Sequence, residues 1–193
     1  MNINKKIPHP FPYQGSKRGI AKYILPHIPN GINRLVEPFC GAGAISLASS
    51  SNNLSSHYLL NDLNKPLMCL WEQIIEKPER LVKHYEDLWH SQHPDKKAFF
   101  FKIRDEFNVT QEPHHLLYLL ARIVKGAVRY SSSGKFNQSA DNRRSGMRPD
   151  TMRQQILAVS KLLSGKTTLK SMDFRDLMLE FNSDDLVYMD PPY

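Results

Sequence analysis

The 193 residues carry a net charge of +7 and 40% hydrophobic content, enough to bury one sizeable core with a small appended subdomain. No apolar run approaches the ~20 residues that span a bilayer, and the lysines of Met1-Asn2-Ile3-Asn4-Lys5-Lys6 precede no apolar stretch, so a cytoplasmic protein is expected. Cys40 and Cys69 form no CxxC pair and read as reduced core thiols, while the histidines, His90, His93, His114 and His115 included, match no zinc spacing.

In chain order, residues 16–27 suit a helix with Ser16 as N-cap and Pro26 near its end. Before it, Tyr13-Gln14-Gly15-Ser16-Lys17 sets an aromatic, a glycine turn and a cation together, either as a surface loop or as a partner for a ligand carboxylate. A strand at Arg34–Phe39 runs into Gly41-Ala42-Gly43 and a small-residue helix from Ala44 to about Ser50. Strand, glycine turn and helix open a nucleotide-binding α/β unit. A second strand, His57–Asp62, ends in an acid some 20 residues beyond the glycines, the spacing of a ribose-binding carboxylate. Asn64 then caps a helix from Lys65 to Ile75, although a strand-end acid such as Asp62 also serves simply as a helix cap.

Residues 78–90, 96–107 and 114–125 read as amphipathic helices of an insertion, the last ending at Gly126. Ala127–Tyr130 and Lys135–Gln138 read as a β-hairpin, with a basic loop, Asn142 to Arg148, after it. A helix to Leu163 follows, then a strand at Thr167–Ser171, an acidic turn at Asp173-Phe174, a short helix to about Phe181 and a strand at Leu186–Met189.

Charge is concentrated in two places. Residues 1–30 carry +5 and residues 121–153 carry +6, so the remainder is acidic at −4. Arg122, Lys125, Arg129, Lys135, Arg143, Arg144 and Arg148 in the second segment, with Lys17 in the first, suit a polyanion held at a defined place; a solvated basic face is the plainer reading.

The chemistry is sharpest at Asp190-Pro191-Pro192-Tyr193, which lies at the carboxyl end of a buried strand. Two prolines fix φ and remove two donors, leaving the Asp190 carboxylate and the adjacent carbonyl to accept from one amino group, with Tyr193 as a stacking face. The same four residues are also a plain turn that ends a strand. Glu37-Pro38-Phe39-Cys40-Gly41-Ala42-Gly43 is the companion feature, whose glycines let backbone approach a ligand at a helix N-terminus. No G-x-x-x-x-G-K-[ST] run occurs, which argues against nucleoside triphosphate chemistry.

Together these segments resemble the Dam-like (D12 class) DNA adenine N6-methyltransferase family, whose members run a Lys-bearing glycine loop, E-P-F-x-G-x-G, N-D, R-Y-N-x-x-G-x-F-N, D-F and D-P-P-Y in that order. Here the order is Gly15-Ser16-Lys17, Glu37 to Gly43, Asn61-Asp62, Arg129 to Asn137, Asp173-Phe174 and Asp190 to Tyr193, with Ser131 in place of the family asparagine. The resemblance implies a Rossmann-like α/β fold that uses S-adenosylmethionine, with a catalytic domain of residues 1–76 and 164–193 and a helical and β-hairpin DNA-recognition insertion of residues 77–163. It implies a flipped adenine held by Asp190 and the Pro191 carbonyl and stacked on Tyr193, with Pro192 locking the corner. Tyr13, Lys17, Glu37, Pro38, Phe39, Gly41, Gly43, Asp62, Asp173 and Phe174 then bind the cofactor. Arg122, Lys125, Arg129, Tyr130, Lys135, Asn137, Arg143, Arg144, Arg148 and Lys17 bind double-stranded DNA. Family members continue past D-P-P-Y, so C-terminal strands of the sheet are missing, and a second polypeptide or a longer chain is expected to supply them. A methyltransferase acting on RNA or protein amines and a non-catalytic DNA-binding fragment are the alternatives.

Overall fold

Leu35-Val36 and Tyr58-Leu59-Leu60 are apolar at consecutive positions, a pattern that suits a strand only where both faces of its sheet are covered. The computed structural model of the protein, which describes residues 7–141 and 143–191, meets that condition. After a broken helical segment containing α1 (Ala21–Ile24) come β1 (Ile32–Glu37), α2 (Ala44–Ser51), β2 (Ser55–Asn61) and α3 (Lys65–Glu76). Then follow α4 (Pro78–Ser91), α5 (Lys96–Thr110), α6 (Pro113–Arg122), α7 (Pro149–Leu163), β3 (Thr167–Lys170), α8 (Phe174–Leu177) and β4 (Asp185–Val187).

The four strands are parallel in the order β3-β2-β1-β4, with Val36 opposite Leu59 on one side and Val187 on the other. Leu35, Tyr58 and Leu60 face the main core beneath α2, α3 and α7; Val36 and Leu59 face a smaller cluster closed by Leu177, Met172 and Phe181. Because the chain moves outward from β1 to β3 and then returns to the far side of β1, a topological switch point opens between β1 and β4. Ligands of open α/β sheets bind at such a crevice. Helices α4 to α7 share one continuous apolar core with the sheet. Mixed α/β architecture with a parallel sheet fits a Rossmann-like methyltransferase.

Three expectations need correction. Residues 16–27 do not form one helix: Lys17–Gly19 and Leu25–His27 are 3-10 turns around the single turn of α1, and the Ser16 side chain makes no cap bond. Gly19 and Pro26 weaken and interrupt the helical ladder there. Helix α6 stops at Arg122, short of residue 125, because Ile123 turns extended (φ −87°, ψ 157°), and the left-handed Lys125 (φ 53°) and Gly126 (φ 64°) beyond it do not resume the helix. The expected hairpin is shorter than the strands read for it. It closes at one antiparallel bridge, Tyr130 to Phe136, with Ser131 N–H on the Lys135 carbonyl and Asn137 N–H on the Arg129 carbonyl, and a separate bridge joins Ile123 to Ala140.

A set of side-chain clamps adds to this short pairing. The Asn108 amide donates to the Phe136 carbonyl (3.1 Å) and accepts from its N–H (2.7 Å), as a neighbouring strand would. Phe136 itself is buried, edge-on to Phe107 and Tyr130. Further on, Gln92 donates to the Ser145 carbonyl and the Tyr85 hydroxyl to the Met147 carbonyl, which seats the basic loop on α4. No helix among the described residues is long and apolar enough to cross a membrane.

Candidate active site

A cavity of about 750 Å³ opens at the carboxyl ends of β1, β2 and β4. Its walls come from five segments distant in the chain: the loop Tyr13–Lys17, the turn Phe39–Ala42, the strand-end residue Asp62, the residues Gly126 and Val128, and Tyr188, Asp190 and Pro191.

The glycine turn is shaped by what it touches. Gly41 has φ 46°, and a Cβ there would stand 3.1 Å from the Tyr13 ring; at Gly43 (φ 56°) it would stand 3.0 Å from the Trp71 ring. Trp71 Nε1 donates to the Gly41 carbonyl at 2.9 Å, so the turn is pinned from behind by α3. Any side chain at these two positions is strained by backbone and crowded by aromatic carbon.

Asp62 accepts from Gly41 N–H at 3.1 Å through Oδ2 and from Asn64 N–H at 3.0 Å through Oδ1. Burial pushes its carboxyl up, and these two N–H groups oppose the shift. A carboxylate has about four acceptor sites, so about half of its capacity is left over on a side chain that lines the cavity. Next to it, burial raises the Tyr13 phenol well above its usual range, and the Asp62 charge adds to that.

Glu37 is only 3% exposed at the end of β1, accepts from Ser46 N–H at 2.9 Å, and is pushed up to about 7 by burial despite that bond. Its sequence neighbour Pro38 is buried and lends its carbonyl to Asn61. The buried Asn61 amide bonds the Pro38 and Met172 carbonyls (2.9 and 3.0 Å) and the Met172 N–H (3.0 Å), joining the ends of β1, β2 and β3. Sequence reasoning saw Asn61 only as part of a motif. Its work here is to hold the strand ends that carry Phe39 and Asp62.

At the other wall, Lys17 Nζ lies 2.6 Å from Asp190 Oδ2 and 3.2 Å from the Gly15 carbonyl. The ammonium stands where an amino group bound to Asp190 would stand, which shows that this carboxylate faces the cavity with a donor-accepting oxygen. Pro191 lines the same wall. Pro192 and Tyr193 lie outside the described residues, as does Asn142.

The other predicted site residues are distributed as follows. Phe39 lines the cavity and Phe174 packs beside it, ring centroids 5.2 Å apart. Asp173 is outside the lining: it caps α8 through Arg175 N–H, and Arg175 grips both its oxygens at 2.9 Å, holding its carboxyl at about 2. Lys125, Arg129, Lys135, Asn137 and Arg148 are exposed. Arg143 and Arg144 are exposed too, yet both reach the Asp141 carboxylate. Tyr130 is half-buried, with its hydroxyl on Asn64 Oδ1 at 3.3 Å.

Arg122 is a correction. It is 1% exposed, donating to Gln92 and to the Tyr118 hydroxyl, and cannot meet a phosphate from there. The signal was available: Tyr118 and Arg122 are one turn apart on a helix buried almost all round. With Val128 and Tyr188, Gly126 is one of the wall residues that were missed. Its absent Cβ would fall 2.4 Å from the Pro12 carbonyl carbon, and Gln14 N–H donates to its carbonyl at 3.0 Å. Nothing in local periodicity announces a contact across that much chain. His84, His114 and His115 pack ring against ring, and no cluster suited to a metal occurs among the described residues.

The family model of the D12 class N6 adenine-specific DNA methyltransferases matches residues 13–193. Retron Ec67 DNA adenine methylase of Escherichia coli is 27% identical over 187 residues, covering 94% of this chain and 62% of that protein. DNA adenine methylase of Serratia marcescens is 28% identical over 185 residues, covering 94% and 65%. Modification methylase StsI of Streptococcus sanguinis is 27% identical over 198 residues, covering the whole of this chain and 29% of that protein. The chain thus spans less than two thirds of the length of these relatives.

Proposed function

The chain belongs to the D12 class N6 adenine-specific DNA methyltransferase family, and on that footing we propose that it transfers a methyl group from S-adenosylmethionine to N6 of an adenine flipped out of double-stranded DNA. The observation that carries this reading is that Asp62 and Asp190 face one cavity at the switch point, across the glycine turn.

The residues present suit the cofactor. Asp62 keeps acceptor sites for two ribose hydroxyls, and the Tyr13 ring and the close-packed Gly41 leave room for a ligand and not for a Cβ. Phe39, backed by Phe174, offers an aromatic face for the cofactor's adenine, while Asp173, expected to bond that adenine, lies outside the cavity lining with both its oxygens on Arg175. Glu37, Pro38 and Gly43 shape the turn around it. When bound, S-adenosylmethionine supplies a methyl carbon activated by its sulfonium.

The remaining work belongs to the corner after β4. Asp190 and the Pro191 carbonyl accept both hydrogens of the target amino group, which draws its lone pair out of ring conjugation and aims it along the transfer line. Pro192 keeps the corner rigid and Tyr193 supports the extruded base. Lys17 must leave Asp190 for that amine to enter, and it would then be placed to hold the carboxylate of a bound cofactor. Residues 77–163 form the recognition insertion on a catalytic domain of residues 1–76 and 164–193. Lys125, Arg129, Lys135 and Asn137, with Arg143, Arg144 and Arg148, contact phosphates or base edges, whereas Tyr130, expected among them, turns inward onto Asn64. The reaction takes place in the cytoplasm. A second polypeptide to complete the sheet, expected from the sequence, finds no support in the comparisons and is not part of the proposal.

Titration of labelled S-adenosylmethionine tests the reading. Asp62→Ala should lose cofactor affinity, whereas Asp190→Ala should keep it and lose methyl transfer by at least ~100-fold, as when a polar contact at a reacting group is removed. Equal cofactor affinity in the Asp62→Ala protein and the unaltered protein would sink it.

A further inference from the structure

The recognition loop and the floor of the cavity meet at one side chain. Arg129, Lys135 and Asn137 are exposed on the loop, but Tyr130 between them turns inward, half-buried and edge-on to the anchored Phe136. Its hydroxyl reaches Asn64 Oδ1 at 3.3 Å. Asn64 is the hinge of the floor: its own N–H donates to Asp62 Oδ1 at 3.0 Å, and its side chain caps α3 through Leu67 N–H. Asp62 in turn accepts from Gly41 of the glycine turn. A continuous path of hydrogen bonds therefore runs from the loop to the carboxylate that faces the ligand. A second contact supports it, where Gly126, at the root of the same loop, abuts Pro12 and Tyr13 on the cavity wall.

We propose that Tyr130 is a positioning residue that couples DNA binding at the loop to cofactor binding at Asp62, acting through Asn64. The inference rests on the functional reading above and adds a direction to it. The loop has bridges where a ladder would be, so phosphates gripping Arg129 and Lys135 restrict it and press Tyr130 onto Asn64. That fixes the Asp62–Asn64 turn before the cofactor arrives. By linkage, cofactor bound at Asp62 fixes Tyr130 and favours DNA by the same factor.

Calorimetric titration of S-adenosylmethionine into the full chain, with and without a random-sequence duplex, measures the coupling. Tyr130→Phe keeps the ring on Phe136 and removes only the hydroxyl. Asn64→Ser keeps a capping oxygen that is too short to reach Tyr130. In the unaltered protein the duplex should tighten cofactor binding about tenfold, within the usual range of such couplings, and in Tyr130→Phe by less than about twofold. Without DNA, the two proteins should bind cofactor within about threefold of each other, because Tyr130 is not among the residues that line the cavity. The double variant should be no more uncoupled than either single one, since both changes break the same link. A duplex effect that survives in Tyr130→Phe, or is absent from the unaltered protein, overturns the proposal while leaving the assignment of the cavity intact. No cofactor binding by the unaltered protein overturns both.

Discussion

The β1-α2-β2-α3 unit and the segment from Lys125 to Arg148 are neighbours around one cavity, yet they are held by different means. In the first, backbone pairs with backbone, and side chains fill a core whose pattern repeats along the chain. In the second, backbone pairing is confined to a few isolated bonds, such as Ser131 N–H on the Lys135 carbonyl, and side chains from other elements add to it: Asn108 with Phe136, Gln92 with Ser145, Tyr85 with Met147. A ladder distributes stability over many equivalent bonds, whereas clamps concentrate it in a few residues. The cofactor side should therefore tolerate loss of single bonds, and the recognition side should not.

The sharpest way to break that contrast is Phe136→Ala. Removing the one fully buried aromatic of the loop should cost about 3–5 kcal/mol in chemical denaturation, and hydrogen exchange should speed up across residues 128–140 before the strands. A loss confined to a few tenths of a kcal/mol would mean that the loop does not hang on this anchor.

On the sheet side, the expected effect follows pH. Glu37 keeps its proton to about 7 in the fold, against 4.5 in the unfolded chain, so folding takes up a proton. Its contribution is present below about pH 4.5, is lost as pH rises through about 7, and amounts to something on the order of 3 kcal/mol. Glu37→Gln, which can still accept from Ser46, should flatten that part of the melting-temperature profile; an unchanged slope would refute the buried acid as its source.

The smallest effect concerns charge. Arg143→Ala should lower the slope of log affinity for DNA against log salt by about 1, or by less because Asp141 already neutralises part of that cation. Asp141→Asn should steepen the slope, freeing Arg143 and Arg144 together.

The same contrast explains what could be read beforehand. Strands and helices of the cofactor side emerge from the chain within a few residues, because periodicity at Leu35-Val36 and Tyr58–Leu60 and the cap at Asn64 are local signals. Asp62 and Asp190 could be placed at one crevice because strand ends in a parallel sheet converge. The recognition side was legible as composition and poorly as structure. The hairpin expected at Ala127–Gln138 is present only around one bridge, and its clamp could not be foreseen, since Asn108 lies 28 residues away from the Phe136 backbone it pairs with. Residue type counted Arg122 as surface charge, and only tertiary packing against Gln92 buries it. The Lys17–Asp190 pair joins the two charged motifs that the sequence assigned to separate ligands.

One feature of the sheet bears on how the protein comes into being. Arg34 holds Asp185 through Nε at 2.7 Å and so ties β1 to β4 across a sequence separation of 151 residues. During synthesis, the cofactor turn and its helices leave the ribosome long before their partner strand does. Closing so long a segment costs little extra entropy, since each doubling of length adds only about 0.6 kcal/mol, so the delay is one of timing. A nascent chain can thus bury most of its core while the corner bearing Asp190 has yet to be built, and nothing it meets in that interval finds a finished pocket.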